Sequence, residues 1–193
     1  MQPLPRSFYR RPDVVRIARD LLGKFLVTRI DGHLTSGMIV ETEAYEGITD
    51  RASHAYGNRF TERTRIMYEE GGTAYIYLCY GIHSLFNIVT HGKGIPHAVL
   101  IRGIRAEEGK SFMLARAGKA RIDKDFGIGP GKVSKILGIH YSLTGTDLTL
   151  GKIIWVEDRG VKIEPSRILA SPRIGVEYSG EDALLPYRFR IGE

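Results

Sequence analysis

Residues 24–45 run KFLVTRIDGHLTSGMIVETEAY, and this stretch decides the fold. Two apolar-rich runs, 24–30 and 33–42, flank Asp31-Gly32. That pair suits the tight turn of a β-hairpin, which needs positive φ at its centre. Side chains alternate along a strand, so Met38, Val40 and Thr42 are expected on one face and Ile39, Glu41 and Glu43 on the other. Glu41, Glu43 and Tyr45 then share one side. A carboxylate and a phenol together at a strand end can do acid–base chemistry on something aromatic.

Further strands are expected at 73–80, 84–90 and 97–103, with a Gly-rich connection at 91–96. The first carries Tyr75, Tyr77 and Tyr80. Upstream, residues 12–22 read as a helix, with Pro12 in its first turn, an apolar face from Val14 to Leu22, and Gly23 at its end. Residues 46–72 read as loop, and 106–117 and 130–137 as helices. The last 40 residues read as short strands, Ile153–Glu157, Arg173–Tyr178 and Tyr187–Arg190, between Gly and Pro turns. Strands joined by short turns predict an α+β fold: a single mixed domain over 1–193 with a curved, mainly antiparallel sheet and packed helices.

The chain has 193 residues, 42% of them hydrophobic, enough for one buried core. No run of eighteen apolar residues is present, so no ordinary transmembrane helix is expected. Residues 1–12 are rich in Pro and Arg and do not read as a secretory signal. The one cysteine, Cys79, cannot form an internal disulfide and fits a reducing, intracellular setting. It reads as a small core filler. The net charge of +6 is concentrated: residues 51–65 carry net +3 and residues 101–124 net +4. Such clustering is the footprint of a polyanion partner, although a basic solvated surface is the commoner cause.

Each candidate residue has a bland reading beside the functional one. Glu43 is a candidate general base, or a surface glutamate paired with an arginine. Tyr75 and Tyr77 share a strand face that Ile76 and Leu78 leave free, though aromatics pack in strands without further purpose. Tyr80, at a turn, could stack on a base or wedge into a duplex. His54 lies in the basic loop. No histidine shows metal-ligand spacing, so no metal and no cofactor are expected. Gly127–Lys132 fails as a phosphate loop, because Phe126 and Val133 stand where Gly and Ser or Thr are needed. It does suit one phosphate held at a helix start, with Lys132 beside it.

Taken together, several motifs resemble the alkyladenine (3-methyladenine) DNA glycosylase family, the type without a helix-hairpin-helix. They are Ile39–Tyr45, Ala52-Ser53-His54, Gly72–Gly81, Phe86-Asn87-Ile88, Val99–Arg102 and Gly129–Lys132. The resemblance implies roles. Glu43 is expected to activate the attacking water and Arg102 to help hold it. Tyr45, His54, Tyr77 and Asn87 are expected to form the base pocket, Asn87 disfavouring normal guanine. Tyr80 is expected to fill the gap left by a flipped nucleotide, with Ile82 beside it where methionine would be expected. Arg59, Arg63, Arg65 and Lys132 are expected to contact DNA phosphates.

The resulting expectation is a monofunctional DNA glycosylase whose partner is duplex DNA containing damaged purines, acting as a monomer away from membranes, in the cytoplasm or nucleoid of a bacterium or the nucleus of a eukaryote. Two readings compete. A non-catalytic nucleic-acid-binding protein would use the same aromatic and basic surface, and a nucleoside hydrolase would act without DNA.

Overall fold

The structure, a computed structural model, describes residues 2–192; Met1 and Glu193, the ends of the expected domain, lie outside the described residues. The predicted hairpin forms. Strand β1 (Phe25–Ile30) pairs antiparallel with β2 (His33–Tyr45), and Asp31 and Gly32 both take positive φ, 53° and 75°. Around it are β3 (Ala74–Cys79), β4 (His83–Thr90), β5 (His97–Glu108), β6 (Ile154–Glu157), β7 (Ile168–Ser171) and β8 (Arg188–Ile191). All pairs are antiparallel, in the order β3-β4-β5-β2-β1-β6. Beyond the end of β1, strand β8 takes over the same edge of β2 at Glu41–Glu43 and carries β7 on its other side. The expected α+β architecture is thus present.

One face of the sheet holds the main core. Helices α1 (Arg6–Tyr9), α2 (Val14–Asp20), α3 (Lys110–Ala117) and α4 (Pro130–Leu137) supply Tyr9, Ile17, Met113, Val133, Ile136 and Leu137 to it. They meet Ile39, Phe86, Ile88, Ile101 and Phe189 from the strands. Burying each such side chain contributes about 1.5–3 kcal/mol. The Asp13 side chain caps α2 by accepting from the Arg16 N–H at 2.8 Å. On the other face, the 46–72 loop packs Ala55 and Met67 against Tyr75, Val89 and Ala98.

Three expectations need correction. The helix expected at 106–117 starts at Lys110, because β5 runs on to Glu108 and Gly109 turns the chain at φ 68°. The strand expected at Arg173–Tyr178 is a bend followed by a 3-10 segment (Glu177–Leu184); β7 lies just before it. Here the Ile174 N–H donates to the Glu43 carboxylate and not to a neighbouring strand. The third correction concerns which face of β2 the acidic residues occupy.

Candidate active site

Two bulges in neighbouring strands aim the charged residues. Along β2, Ile39 pairs with Ile104 but Glu41 with Gly103, leaving Val40 as an extra residue. Along β5, Thr42 pairs with Ile101, so Arg102 is the extra residue there. A bulge shifts the alternation by one position, which moves every later side chain to the opposite face. Ile39 and Ala44 therefore lie in the same core, five residues apart, and the Thr42 hydroxyl donates to the Ala18 carbonyl of α2. Glu41, Glu43 and Tyr45 do share a side, as expected. That side is the continuation of the Met38 and Val40 face, not of the Ile39 face. Opposite them, the bulged Arg102 projects into the same space.

Glu43 is fully buried and surrounded by donors. Its Oε1 accepts from the Ile174 N–H at 2.9 Å, and its Oε2 from the Tyr45 hydroxyl at 2.8 Å. The Arg102 Nε lies 3.3 Å from Glu43 Oε1 and 3.1 Å from Glu41 Oε1. Glu41 is shared in turn with Arg188, whose Nε donates to it at 2.6 Å. Burial raises the Glu43 pKa above the ordinary value, while Arg102, the Ile174 N–H and the Tyr45 hydroxyl pull it back. Burial and the Glu43 charge raise the Tyr45 phenol, keeping it protonated as a donor.

In front of this cluster is a pocket of about 210 Å³. Tyr45, His54, Tyr77, Tyr80, Asn87 and Arg102 all line it, so residues drawn from five stretches of sequence meet there. Glu43 lies directly behind, reached through Tyr45, Arg102 and Ile174. His54 Nδ1 lies 2.8 Å from the Tyr75 hydroxyl. Its Nε2 faces Arg63 at 3.4 Å; arginine can only donate, so the ring proton sits on Nδ1. Burial, with Arg63 and Arg59 nearby, lowers the His54 pKa to about 4, so the ring is neutral at physiological pH. The Asn87 amide donates to the carbonyls of Tyr75 and Leu85, at 3.1 and 3.2 Å, which fixes its orientation. Cys79 lines the pocket as well, and is not the core filler expected of it.

Apart from Tyr80, which lines the pocket from its rim, the remaining expected residues lie outside it. Tyr80 stands at the tip of the β3–β4 hairpin, 93% exposed and with φ at 51°, and Ile82 is exposed two residues on. Arg63 lies over the Tyr77 ring, 4.6 Å from its centre. Arg59 is exposed, Arg65 pairs with the exposed Glu62, and the Lys132 ammonium donates to the Asp125 carbonyl at 3.0 Å. Among the described residues, no group of three His, Cys, Asp or Glu could hold a metal ion, and no lysine lines the pocket.

A third wall was not foreseen from the sequence. Ile174, Gly175, Val176 and Tyr178 close the pocket from the bend after β7. The Tyr178 hydroxyl donates to the Ala52 carbonyl at 3.2 Å, across to the loop that carries His54. The only local signal was Gly175, which takes φ of 74° at the turn.

Residues 7–193 match the family model described as methylpurine-DNA glycosylase (MPG). The chain belongs to the methylpurine-DNA glycosylase family, whose members are hydrolases of N-glycosyl bonds. It is 44% identical over 189 residues to a protein of Chlamydia felis, covering 97% of this chain and 95% of that one. It is 45% identical over 191 residues to a protein of Bacillus licheniformis (98% and 93% covered), and 44% identical over 189 to one of Methanocella arvoryzae (98% and 92%). All three bear the name "Putative 3-methyladenine DNA glycosylase".

Proposed function

We propose that the chain is a monofunctional DNA glycosylase that draws alkylated or deaminated purines out of duplex DNA and hydrolyses their N-glycosidic bond. Excision of this kind opens base excision repair. The whole chain acts as one domain and as a monomer, in the compartment that holds the DNA, without a cofactor. The observation that carries this reading is the buried Glu43 carboxylate, held by Arg102, Tyr45 and the Ile174 N–H directly behind an aromatic pocket.

A base inside a duplex cannot present its glycosidic bond to a buried acid, so it must be extruded, at a cost of a few kcal/mol. Tyr80 fills the vacated gap, with Ile82 beside it, and arginines from the 59–65 loop and Lys132 hold the phosphates. Stacking on aromatic walls is worth roughly 1–3 kcal/mol per base and offsets part of the extrusion cost. Asn87, whose amide is fixed by two carbonyls, is the residue assigned to disfavour normal guanine through its exocyclic amine.

Water, oriented by Glu43 and Arg102, forms a bond to the sugar C1′ and passes a proton to Glu43. The electron pair of the breaking C1′–N bond goes to the base, neutralising the positive charge that N3 or N7 alkylation places there. Ionised Glu43 also stabilises the oxocarbenium-like sugar. With no lysine on the pocket wall to attack the sugar, the product is an abasic site on an unbroken strand.

Single-turnover base release from duplexes holding an alkylated purine or one hypoxanthine tests this. Wild type should give alkali-dependent breaks, and Glu43→Gln should lower the rate by roughly 10²–10⁴-fold while still binding DNA. Near-normal release by the variant would remove Glu43 from that role. Tight, salt-sensitive binding without release by wild type would point to a non-catalytic binder.

A further inference from the structure

We infer that Arg173 is a positioning residue that, locked onto Asp50, fixes the third wall of the pocket and holds the Ile174 N–H against Glu43. The inference rests on the reading of Glu43 as the group that activates water.

Arg173 and Asp50 form an ion pair whose side chains are 0% and 1% exposed. Arg173 Nη2 donates to Asp50 Oδ1 at 2.8 Å and to the Asp182 carbonyl at 3.1 Å. Nη1 donates to Asp50 Oδ2 and, at 2.9 Å, to the Ala44 carbonyl. The guanidinium carbon lies 4.8 Å from the centre of the Tyr45 ring and 5.4 Å from that of Tyr187.

These contacts tie three separate pieces of chain together. Ala44 and Tyr45 follow Glu43 on β2. Asp50 belongs to the loop that carries His54, and its Oδ1 also accepts from the Ala52 N–H at 2.9 Å. Asp182 belongs to the 3-10 segment that follows Tyr178. The residue after Arg173 is Ile174, whose N–H reaches Glu43 at 2.9 Å and whose side chain lines the pocket. One guanidinium therefore sets where the Glu43 donor, the Tyr45 ring and the His54 loop sit relative to one another.

Stability is a poor explanation for this arrangement. Desolvation cancels much of the gain from a buried ion pair, and an apolar pair of similar volume often serves the fold as well. The buried Arg173 Nε has no hydrogen-bond partner, a further cost to the folded state. What the pair supplies is geometry. A planar fork that grips a carboxylate with two parallel bonds while its face lies against rings is available to arginine and not to lysine.

The test compares wild type, Arg173→Lys and Asp50→Asn in single-turnover release of an alkylated purine across pH, with DNA affinity and thermal unfolding measured alongside. Misplacing a group near the reacting centre by about 1 Å costs about 10²-fold in rate. Arg173→Lys should lose about that factor with DNA affinity unchanged. Its acid limb should move to higher pH, because Glu43 loses the Ile174 donor while Tyr45 and Arg102 still contact it and Glu41, held by Arg188, still lies nearby. Asp50→Asn keeps the volume and one acceptor, and should lose less rate with the same direction of shift. It decides alone if Arg173→Lys does not fold. A wild-type rate, or a slowed rate with an unmoved acid limb, would overturn the inference. No release by wild type would instead overturn the glycosylase reading on which it stands.

Discussion

Burial works against the charged form of Glu43, and Arg102, the Ile174 N–H and the Tyr45 hydroxyl work for it. Burial raises its pKa above the ordinary 4.5, so in the folded chain the protonated form is favoured relative to the unfolded one. The stability gained by protonation is complete below 4.5 and is lost as pH rises through the folded-state value. Wherever Glu43 is ionised, its burial therefore costs stability. Glutamine removes the charge and keeps an acceptor for the Ile174 N–H, while the Tyr45 hydroxyl can turn to accept from its amide. Arg102 keeps Glu41. Glu43→Gln should thus unfold at the same temperature as wild type at pH 7 or above it, and should lack the gain wild type shows on acidification. Glu43→Ala, which orphans buried donors, should be less stable by roughly 1–3 kcal/mol. Thermal unfolding at pH 5 and pH 7 checks both; a Gln variant less stable than wild type at pH 7 would contradict the sign.

Among the elements, the β3–β4 hairpin was legible because its cues are local. Tyr75 and Tyr77 alternate with Ile76 and Leu78, and Tyr80-Gly81 reads as a turn. Position 80 is a poor place for a tyrosine on backbone grounds, since a non-glycine residue at positive φ costs roughly 1–2 kcal/mol. Tyr80→Gly should therefore raise stability by about 1 kcal/mol and weaken binding to lesion-containing duplex by about tenfold or more, given the stacking energy lost. Chemical denaturation and a binding titration on one preparation test the trade, and equal affinity would exclude insertion. The strand misread at 173–178 had no such local cue. Its Ile, Val and Tyr look strand-like, but a carboxylate on another strand, 131 positions away, takes the backbone N–H that a ladder would need.

Across the whole molecule, the basic 51–65 segment flanks the pocket, with Arg63 over Tyr77 and beside His54, a placement that the composition suggested and the spacing alone could not assemble. The motifs legible between residues 39 and 102 line most of the pocket, whereas Gly129–Lys132 lies outside it. The third wall and the Arg173–Asp50 pair were hidden because they depend on contacts between distant stretches. Binding to duplex DNA should weaken steeply with salt, by about 0.9 in log K per log unit of salt for each phosphate neutralised. Arg59→Ala should flatten that slope by about one such unit at every sequence tested. A slope indifferent to the change would show that this exposed cation does not reach the backbone.

The extra residue at Val40 has a consequence for descent. Because the site depends on a count of residues as well as on their kinds, substitutions at Glu41 or Glu43 can only weaken it or restore it. Loss of a single codon at position 40 would do something different in kind. It would restore unbroken alternation with Glu41 and Glu43 still on the Met38 side, opposite Ile39, but would remove the local bend that aims them at Arg102. The number of residues in this strand is thus constrained alongside their kinds, because the bend at Val40 exists only while two residues face one on the partner strand.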